Sequence, residues 1–464
     1  MYDMTAALRW VTEYISFFGG DPKQVKVMGQ GSGAASAMYM SMSRLPRSGS
    51  ISGVVSMSGS ALAQYAKDEE PVQSMEEIAA INNCPNNNET AIVSCMRGRS
   101  AEEIVLSDSN VQTERLQGRA MVKGLSGGVG FNPHQEGPDD QRGLPGFLTE
   151  EPGDQIKENR TPEIPLLIGV TKEETGNAPT LKVVEKVFGT AEKFLNSLLD
   201  TAIVGDLKKL LNVDQVSGKL LKPVLPGLGK LNLGLDDLLK IPANLNAFDL
   251  IKKLAETTTD VLFNLPAVLS AENWGKKAPA FLYSFEHRGK VSNGYNFLRG
   301  LPVVTEQKND NFTSHGDDLG YIFKCNDIFG NPIKGAELES EEDKKVQKNM
   351  IGLLTRFAKI SNAEDVEKDG FLPSFGSKQG VPYIKITEKL EILENFRFCE
   401  LSLWGAPLEA IKSTTCEGLG NALSTVTGTL GQVTGGLTGG LTGTLGLGGN
   451  KNKKSGNSGF LGLG

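Results

Sequence analysis

A cluster of small residues, Gly29-Gln30-Gly31-Ser32-Gly33, follows the apolar run Val25–Met28 and precedes the alanine-rich segment Ala34–Met40. This succession reads as strand, sharp turn and helix, the frame in which hydrolases lift a nucleophile at the centre of G-x-S-x-G to the top of a sheet. The central residue here is Gly31. An L-residue at such an apex is held in a strained backbone conformation, whereas glycine reaches positive φ freely. Gly31 therefore relaxes the turn and deletes the oxygen that would do the chemistry. Ser32 carries the nearest hydroxyl. One step past the apex it enters the first helical turn, where a serine hydroxyl caps the helix or bonds locally. A structural or capping Ser32 is the expectation, and a displaced nucleophile is the alternative.

The elements that must position this turn follow from periodicity. Ala6, Ala7, Leu8, Trp10, Val11 and Ile15 recur at helical spacing, and Gly19-Gly20 and Asp21-Pro22 stop the helix and turn the chain. The strand Val25–Met28, the helix Ala34–Met42 and the strand Gly53–Met57 come next. Strand-helix-strand in this rhythm predicts a parallel sheet with right-handed crossovers. Further along, Val261–Ala267 reads as a helix, Phe281–Phe285 as a central strand and Lys344–Ile360 as an amphipathic helix.

Several blocks resemble the cholinesterase/type-B carboxylesterase family. They include Phe18-Gly19-Gly20-Asp21-Pro22, Val55-Ser56-Met57-Ser58-Gly59-Ser60-Ala61, Phe281-Leu282-Tyr283-Ser284-Phe285-Glu286-His287-Arg288, His315-Gly316-Asp317-Asp318-Leu319-Gly320-Tyr321 and Asn395-Phe396-Arg397-Phe398-Cys399-Glu400. The similarity runs from residue 2 to about residue 410, in family order. It implies an α/β-hydrolase fold, a mostly parallel, doubly wound sheet with helices on both faces. Carried over position by position, the family's nucleophile falls on Gly31, its acid on Glu174 and its base on His315. Glu173 is the alternative to Glu174. Histidine takes the serine proton and returns it to the leaving group, and the carboxylate fixes its tautomer. Without a serine, His315 and Glu174 are expected as a vestigial, still hydrogen-bonded pair.

The same resemblance implies a glycine-rich oxyanion loop and first strands that would precede Met1, so the chain reads as the C-terminal portion of the family domain. Oxyanion donors contribute about 10²–10³ in rate. The segment Gly124–Gly130 lacks the family's His-Gly-Gly-Gly form and reads as a loop. The family includes a branch without the nucleophile, the neuroligins, neurotactins and insect glutactins, and the elbow resembles glutactin most closely. That branch implies adhesion or basement-membrane contact with a protein partner at a cell surface or matrix, and a homodimer is compatible with it. The competing expectation is an esterase that cleaves carboxylic esters through a displaced Ser32 with His315 and Glu174.

Composition fits this picture. The chain has 464 residues, 39% hydrophobic and 22% charged, with a net charge of −7, which argues against a nucleic-acid or anionic-membrane surface. No apolar run is long enough to span a bilayer, and Met1-Tyr2-Asp3-Met4 shows no signal peptide. The five cysteines, Cys84, Cys95, Cys325, Cys399 and Cys416, show no metal-ligand spacing, and neither a metal nor another cofactor is expected. Cys84 and Cys95 flank a Pro/Asn-rich loop suited to a small disulfide, two free buried thiols being the other reading. Sequons at Asn88, Asn159 (followed by Pro162) and Asn311 make these the candidate glycosylation sites. Together they point to an extracellular or cell-surface protein. Two regions stand apart from the main domain, residues 1–410. A Leu/Lys-rich stretch at 180–253 reads as amphipathic helices covering the sheet, and the Gly/Thr/Leu-rich residues 411–464 read as a flexible tail.

Overall fold

The computed structural model describes residues 1–68, 71–85, 88–116, 132–137, 145–176, 256, 258–289, 312–324, 326, 331, 338–375, 380–397 and 400–401. The glycine run 124–130, the 180–253 stretch, the tail, Asn311, Cys325, Cys399 and Cys416 lie outside the described residues.

Six strands form one sheet in sequential order: β1 (Lys26–Gln30), β2 (Gly53–Met57), β3 (Leu166–Thr171), β4 (Ala280–Phe285), β5 (Tyr383–Ile386) and β6 (Leu390–Leu393). The first five run parallel, with Val27 opposite Val54 and Leu166 opposite Ala280, and β6 turns back antiparallel to β5. Parallel strands are covered on both faces, and the side chains alternate accordingly. Val54, Leu166, Ile168, Ala280 and Leu282 enter one core, while Val55, Leu167, Phe281, Tyr283 and Phe285 enter the other.

The first core is filled by α1 (Tyr2–Tyr14), α2 (Ser32–Met42) and a later helix, Leu265–Trp274. A helical unit of three elements, α3 (Pro71–Ile81), α4 (Glu89–Arg97) and α5 (Ala101–Leu116), carries the Cys84–Cys95 disulfide. After the short α6 (Pro152–Lys157), a π-helical turn at Asp260–Asn264 leads into α7 (Leu265–Trp274). The indole Nε1 of Trp274 donates to the Ile164 carbonyl at 2.7 Å, tying α7 to the segment ahead of β3. The second core is closed by α8 (Glu341–Ala358), with α9 (Ala363–Asp369) following.

Local chemistry sets these boundaries. The α8 helix begins where the Ser340 hydroxyl accepts from the Asp343 N–H at 3.0 Å, with Glu341, Glu342 and Asp343 at its positive end. It therefore starts ahead of the Lys344 expected from periodicity, because the cap lies outside the apolar repeat. Its buried face, Val346, Met350, Leu353 and Phe357, keeps the spacing of an amphipathic helix. The first helix ends in a 3₁₀ turn, Ile15–Phe18, capped by Gly19 at φ 84°. The first strand runs to Gln30 rather than stopping at Met28, because its pairing with β2 continues through Gly29 and Gln30. On the outer side of α1 an aromatic cluster is solvent-facing, Phe17 at 82% and Phe18 at 72% exposure beside Trp10 and Tyr14.

Phe357 joins α8 to β1 and β4 of the parallel sheet. Its ring meets Phe281 of β4 edge-on at 6.1 Å, and the Lys26 ammonium of β1 lies 5.9 Å from its centroid. Lys26 also donates to the Ser52 and Ile360 carbonyls at 2.8 and 2.7 Å. Replacing this fully buried ring, Phe357→Ala, is expected to cost about 3–5 kcal/mol of stability, measured by urea denaturation. A loss indistinguishable from that of an exposed control such as Ile351→Ala would remove Phe357 from this role.

Candidate functional site

The C-terminal ends of β1, β2 and β3 converge on the Gly31 turn, the end of a parallel sheet at which sites form in open α/β folds. Gly31 has φ 61° and ψ −124° and stands as the residue capping α2. Its N–H donates to the Met57 carbonyl at 2.8 Å, and its carbonyl accepts from the Ala34 and Ala35 N–H groups at 3.0 and 3.3 Å. Positive φ at this apex is the geometry that favours glycine. The turn is also packed backbone against backbone. A Cβ on Gly59 would lie 2.2 Å from the Gly31 carbonyl oxygen, and one on Gly29 would lie 2.1 Å from that of Gly33.

Two loops face the turn and are laced together. The Glu173 N–H donates to the Thr313 carbonyl, and the His315 N–H donates to the Glu174 carbonyl, both at 3.0 Å. Between them the His315 Nδ1–H donates to Glu174 Oε2 at 2.7 Å, while Glu174 Oε1 accepts from the Thr171 N–H at 2.7 Å. Glu174 is thus the imidazole's partner. Glu173 is engaged elsewhere, with the Thr313 N–H at 3.0 Å and the Arg288 guanidinium at 3.1 Å. His315 Nε2 points at the apex, where a Cβ on Gly31 would lie only 2.9 Å from it.

Ser32 is placed differently from the capping role. It occupies the first residue of α2 and is exposed, and no side-chain cap bond is made at this helix end. The side chain that caps belongs to the residue before the helix, and that residue is Gly31. Among the described residues no hydrogen bond joins the Ser32 hydroxyl to His315. Its carbonyl accepts from the Ser36 hydroxyl at 2.9 Å.

The surroundings include residues that periodicity did not single out. The π-helical turn carries Phe263 against both His315 and Tyr65, each pair with centroids 5.2 Å apart. Arg397 clamps that turn by holding Asp260 through two guanidinium nitrogens. The Tyr65 hydroxyl donates to the Ser58 carbonyl at 3.0 Å, and Ser58 itself sits at φ 50° with its N–H on the Gly169 carbonyl. Below the dyad, Asp318 is fully buried and accepts from the Tyr283 hydroxyl at 3.0 Å. Asp318 was visible in sequence only as part of a family block, whereas Phe263 lay within the Val261–Ala267 segment read as a helix, whose first part is a π-helical turn without a periodic signature of its own.

Electrostatics follow from this geometry. Burial draws the His315 pKa down, but the hydrogen bond to Glu174 and its charge, with Asp318 and Asp317, outweigh it and hold the imidazole above its ordinary value. Burial pushes the Asp318 carboxyl up to about 7, Glu174 adding to the rise while Tyr283 and His315 oppose it. Both groups therefore hold a proton in the folded chain at a pH where the unfolded chain releases it, so both contributions fade as pH rises. For Asp318 the window runs from 3.8 to about 7. The site can hold a proton on His315, but position 31 offers no oxygen for acyl transfer. Among the described residues no group of His, Cys, Asp and Glu is arranged to hold a metal ion.

Two outcomes are expected. Glu174→Gln leaves burial unopposed by its nearest charge, so the His315 titration midpoint, followed by NMR among only three histidines, should drop from above the ordinary imidazole value to below it. An unmoved midpoint would show that Glu174 does not set it. Asp318→Asn should lessen the loss of stability between about pH 4 and about pH 7, read by urea denaturation, and an equal loss in both proteins would exclude Asp318 as its source.

Comparison with known proteins agrees with this arrangement. A family model described as the carboxylesterase family matches residues 1–404. The chain is 24% identical over 417 residues to carboxylesterase 5A of Canis lupus familiaris, an alignment covering 89% of this chain and 61% of that protein. It is 25% identical over 363 residues to cocaine esterase of Homo sapiens (78% and 54%), and 24% identical over 374 residues to esterase E4 of Myzus persicae (80% and 60%). It thus spans between 54% and 61% of the length of these relatives. With the elbow, the dyad and a family match that extends through nearly all of the sheet and its helices, the chain belongs to the carboxylesterase family.

Proposed function

We propose that this protein is a non-hydrolytic member of the carboxylesterase family, using the esterase fold as an extracellular interaction module in adhesion or in a basement-membrane type of matrix. The observation that carries the reading is the apex of the elbow. Gly31 supplies no nucleophile, although His315 Nε2 stands 2.9 Å from where its Cβ would lie. Ser32 is a poor substitute. Its exposed position at the start of α2 leaves it without a bond to the base that would have to take its proton. The Cys84–Cys95 disulfide supports an oxidising compartment. The resemblance of the elbow to the glutactin, neurotactin and neuroligin branch supports a protein partner at a cell surface or matrix, which could be a second copy of the chain. No helix among the described residues is long and apolar enough to cross a membrane.

Labelling the native protein with a fluorophosphonate probe, then mapping peptides, tests this directly. No adduct is expected while an active carboxylesterase labels alongside. An adduct on Ser32 would replace this reading with an esterase whose nucleophile has moved one residue. Beads coated with the folded protein should also adhere to a laid-down basement-membrane matrix, and adhesion no greater than that of albumin-coated beads would sink the matrix role.

A further inference from the structure

The sequons at Asn88 and Asn159 are not equivalent in the folded chain, and the geometry points to Asn88 as a residue that carries an N-linked glycan, which we propose as a modification site. This inference rests on the extracellular part of the reading above.

Asn88 lies in the short connection between α3 and α4, four residues past Cys84, and the bridge to Cys95 closes that connection against the helices. Cys84 is buried with Ala79 and Ile92 in a small core of its own. Asn88, Glu89 and Thr90, the whole sequon, are exposed. The Asn88 side chain caps α4 through its oxygen, Oδ1 accepting the Ala91 N–H at 3.2 Å. The amide nitrogen, the atom that a glycan substitutes, is left with no hydrogen-bond partner among the described residues. One amide thus divides its two ends between two tasks, and a substituent on Nδ2 leaves the cap intact.

Asn159 presents the opposite arrangement. It sits at φ 59° just past α6, with its Oδ1 buried and unpartnered. Thr161 of the same sequon is 3% exposed with its hydroxyl buried, and Pro162 follows. A bulky, hydrated glycan belongs on a surface loop, and here the amide oxygen and the sequon threonine are turned inward. Asn311 lies outside the described residues.

The transfer itself is balanced without any redox partner. Asn88 Nδ2 attacks C1 of an oligosaccharide carried on a polyprenyl pyrophosphate. The Nδ2–C1 bond forms as the C1–O bond breaks, the pyrophosphate leaves with the electron pair, and Nδ2 loses one proton. The compartment in which such donors are used is also the one in which Cys84 and Cys95 pair.

The test is a peptide map of the native protein, digested without reduction and treated with peptide N-glycosidase in heavy-oxygen water. A heavy-oxygen aspartate at position 88, an unmodified Asn159 and an intact Cys84–Cys95 peptide are expected. A second measurement uses the full chain secreted from insect cells behind a supplied leader. There Thr90→Ala should reduce the glycosidase-sensitive shift by one glycan while the disulfide and the Asn88 cap remain, and Thr161→Ala should leave the shift unchanged. A bridged protein with an unmodified Asn88 would overturn the glycan proposal and leave the extracellular reading standing. Free thiols at both cysteines, with every sequon bare, would overturn the extracellular reading itself. Occupancy of Asn159 would refute the distinction drawn between the two sites.

Discussion

The backbone contact between the Gly29–Gly33 turn and Gly59 governs the site. Gly59 approaches the Gly31 carbonyl closely enough that no Cβ fits between them, and Gly29 meets Gly33 in the same way. This packing lets β1 run straight into α2 with the apex standing above the sheet. It also brings the end of β2 against the turn, so that Ser58 can reach across to the Gly169 carbonyl of β3. Three strands are thereby held at one level, and the loops bearing Glu174 and His315 are aimed at a common point. The constraint is steric and belongs to the main chain, so it survives without the side chain it serves in a hydrolase.

Around that point the charges are arranged as for acid–base work. Glu174 accepts from both the Thr171 backbone and the His315 ring, which leaves the imidazole little rotational freedom. Asp318, with Tyr283 on one oxygen, adds negative potential below, and Phe263 shields the ring from the side. Such an array stabilises an imidazolium. In a hydrolase that stabilisation serves the instant in which histidine holds the serine proton.

Much of the scaffold was legible in the sequence, for reasons that can be named. The strand Gly53–Met57 and the elbow were marked by apolar runs meeting glycine, and α8 by its four buried residues at helical spacing. The dyad was legible only through family likeness, since nothing local in Glu174 or His315 announces a partner 141 residues away. Periodicity placed the start of α8 too late and the end of β1 too early, because caps and ladder bonds obey no hydrophobic repeat. The helix begins at Ser32, with Gly31 in the capping position, which leaves the structural reading of Ser32 rather than the capping one. The π-turn and the Asp260–Arg397 clamp that holds it are tertiary features without a linear signature.

The closeness of His315 to the bare α-carbon of residue 31 couples the two positions. With the ring nitrogen 2.9 Å from where a Cβ would lie, a side chain placed at residue 31 has to take up a positive φ and displace the imidazole slightly. A change at the apex is therefore felt in the Glu174–His315 hydrogen bond, two loops away in the chain.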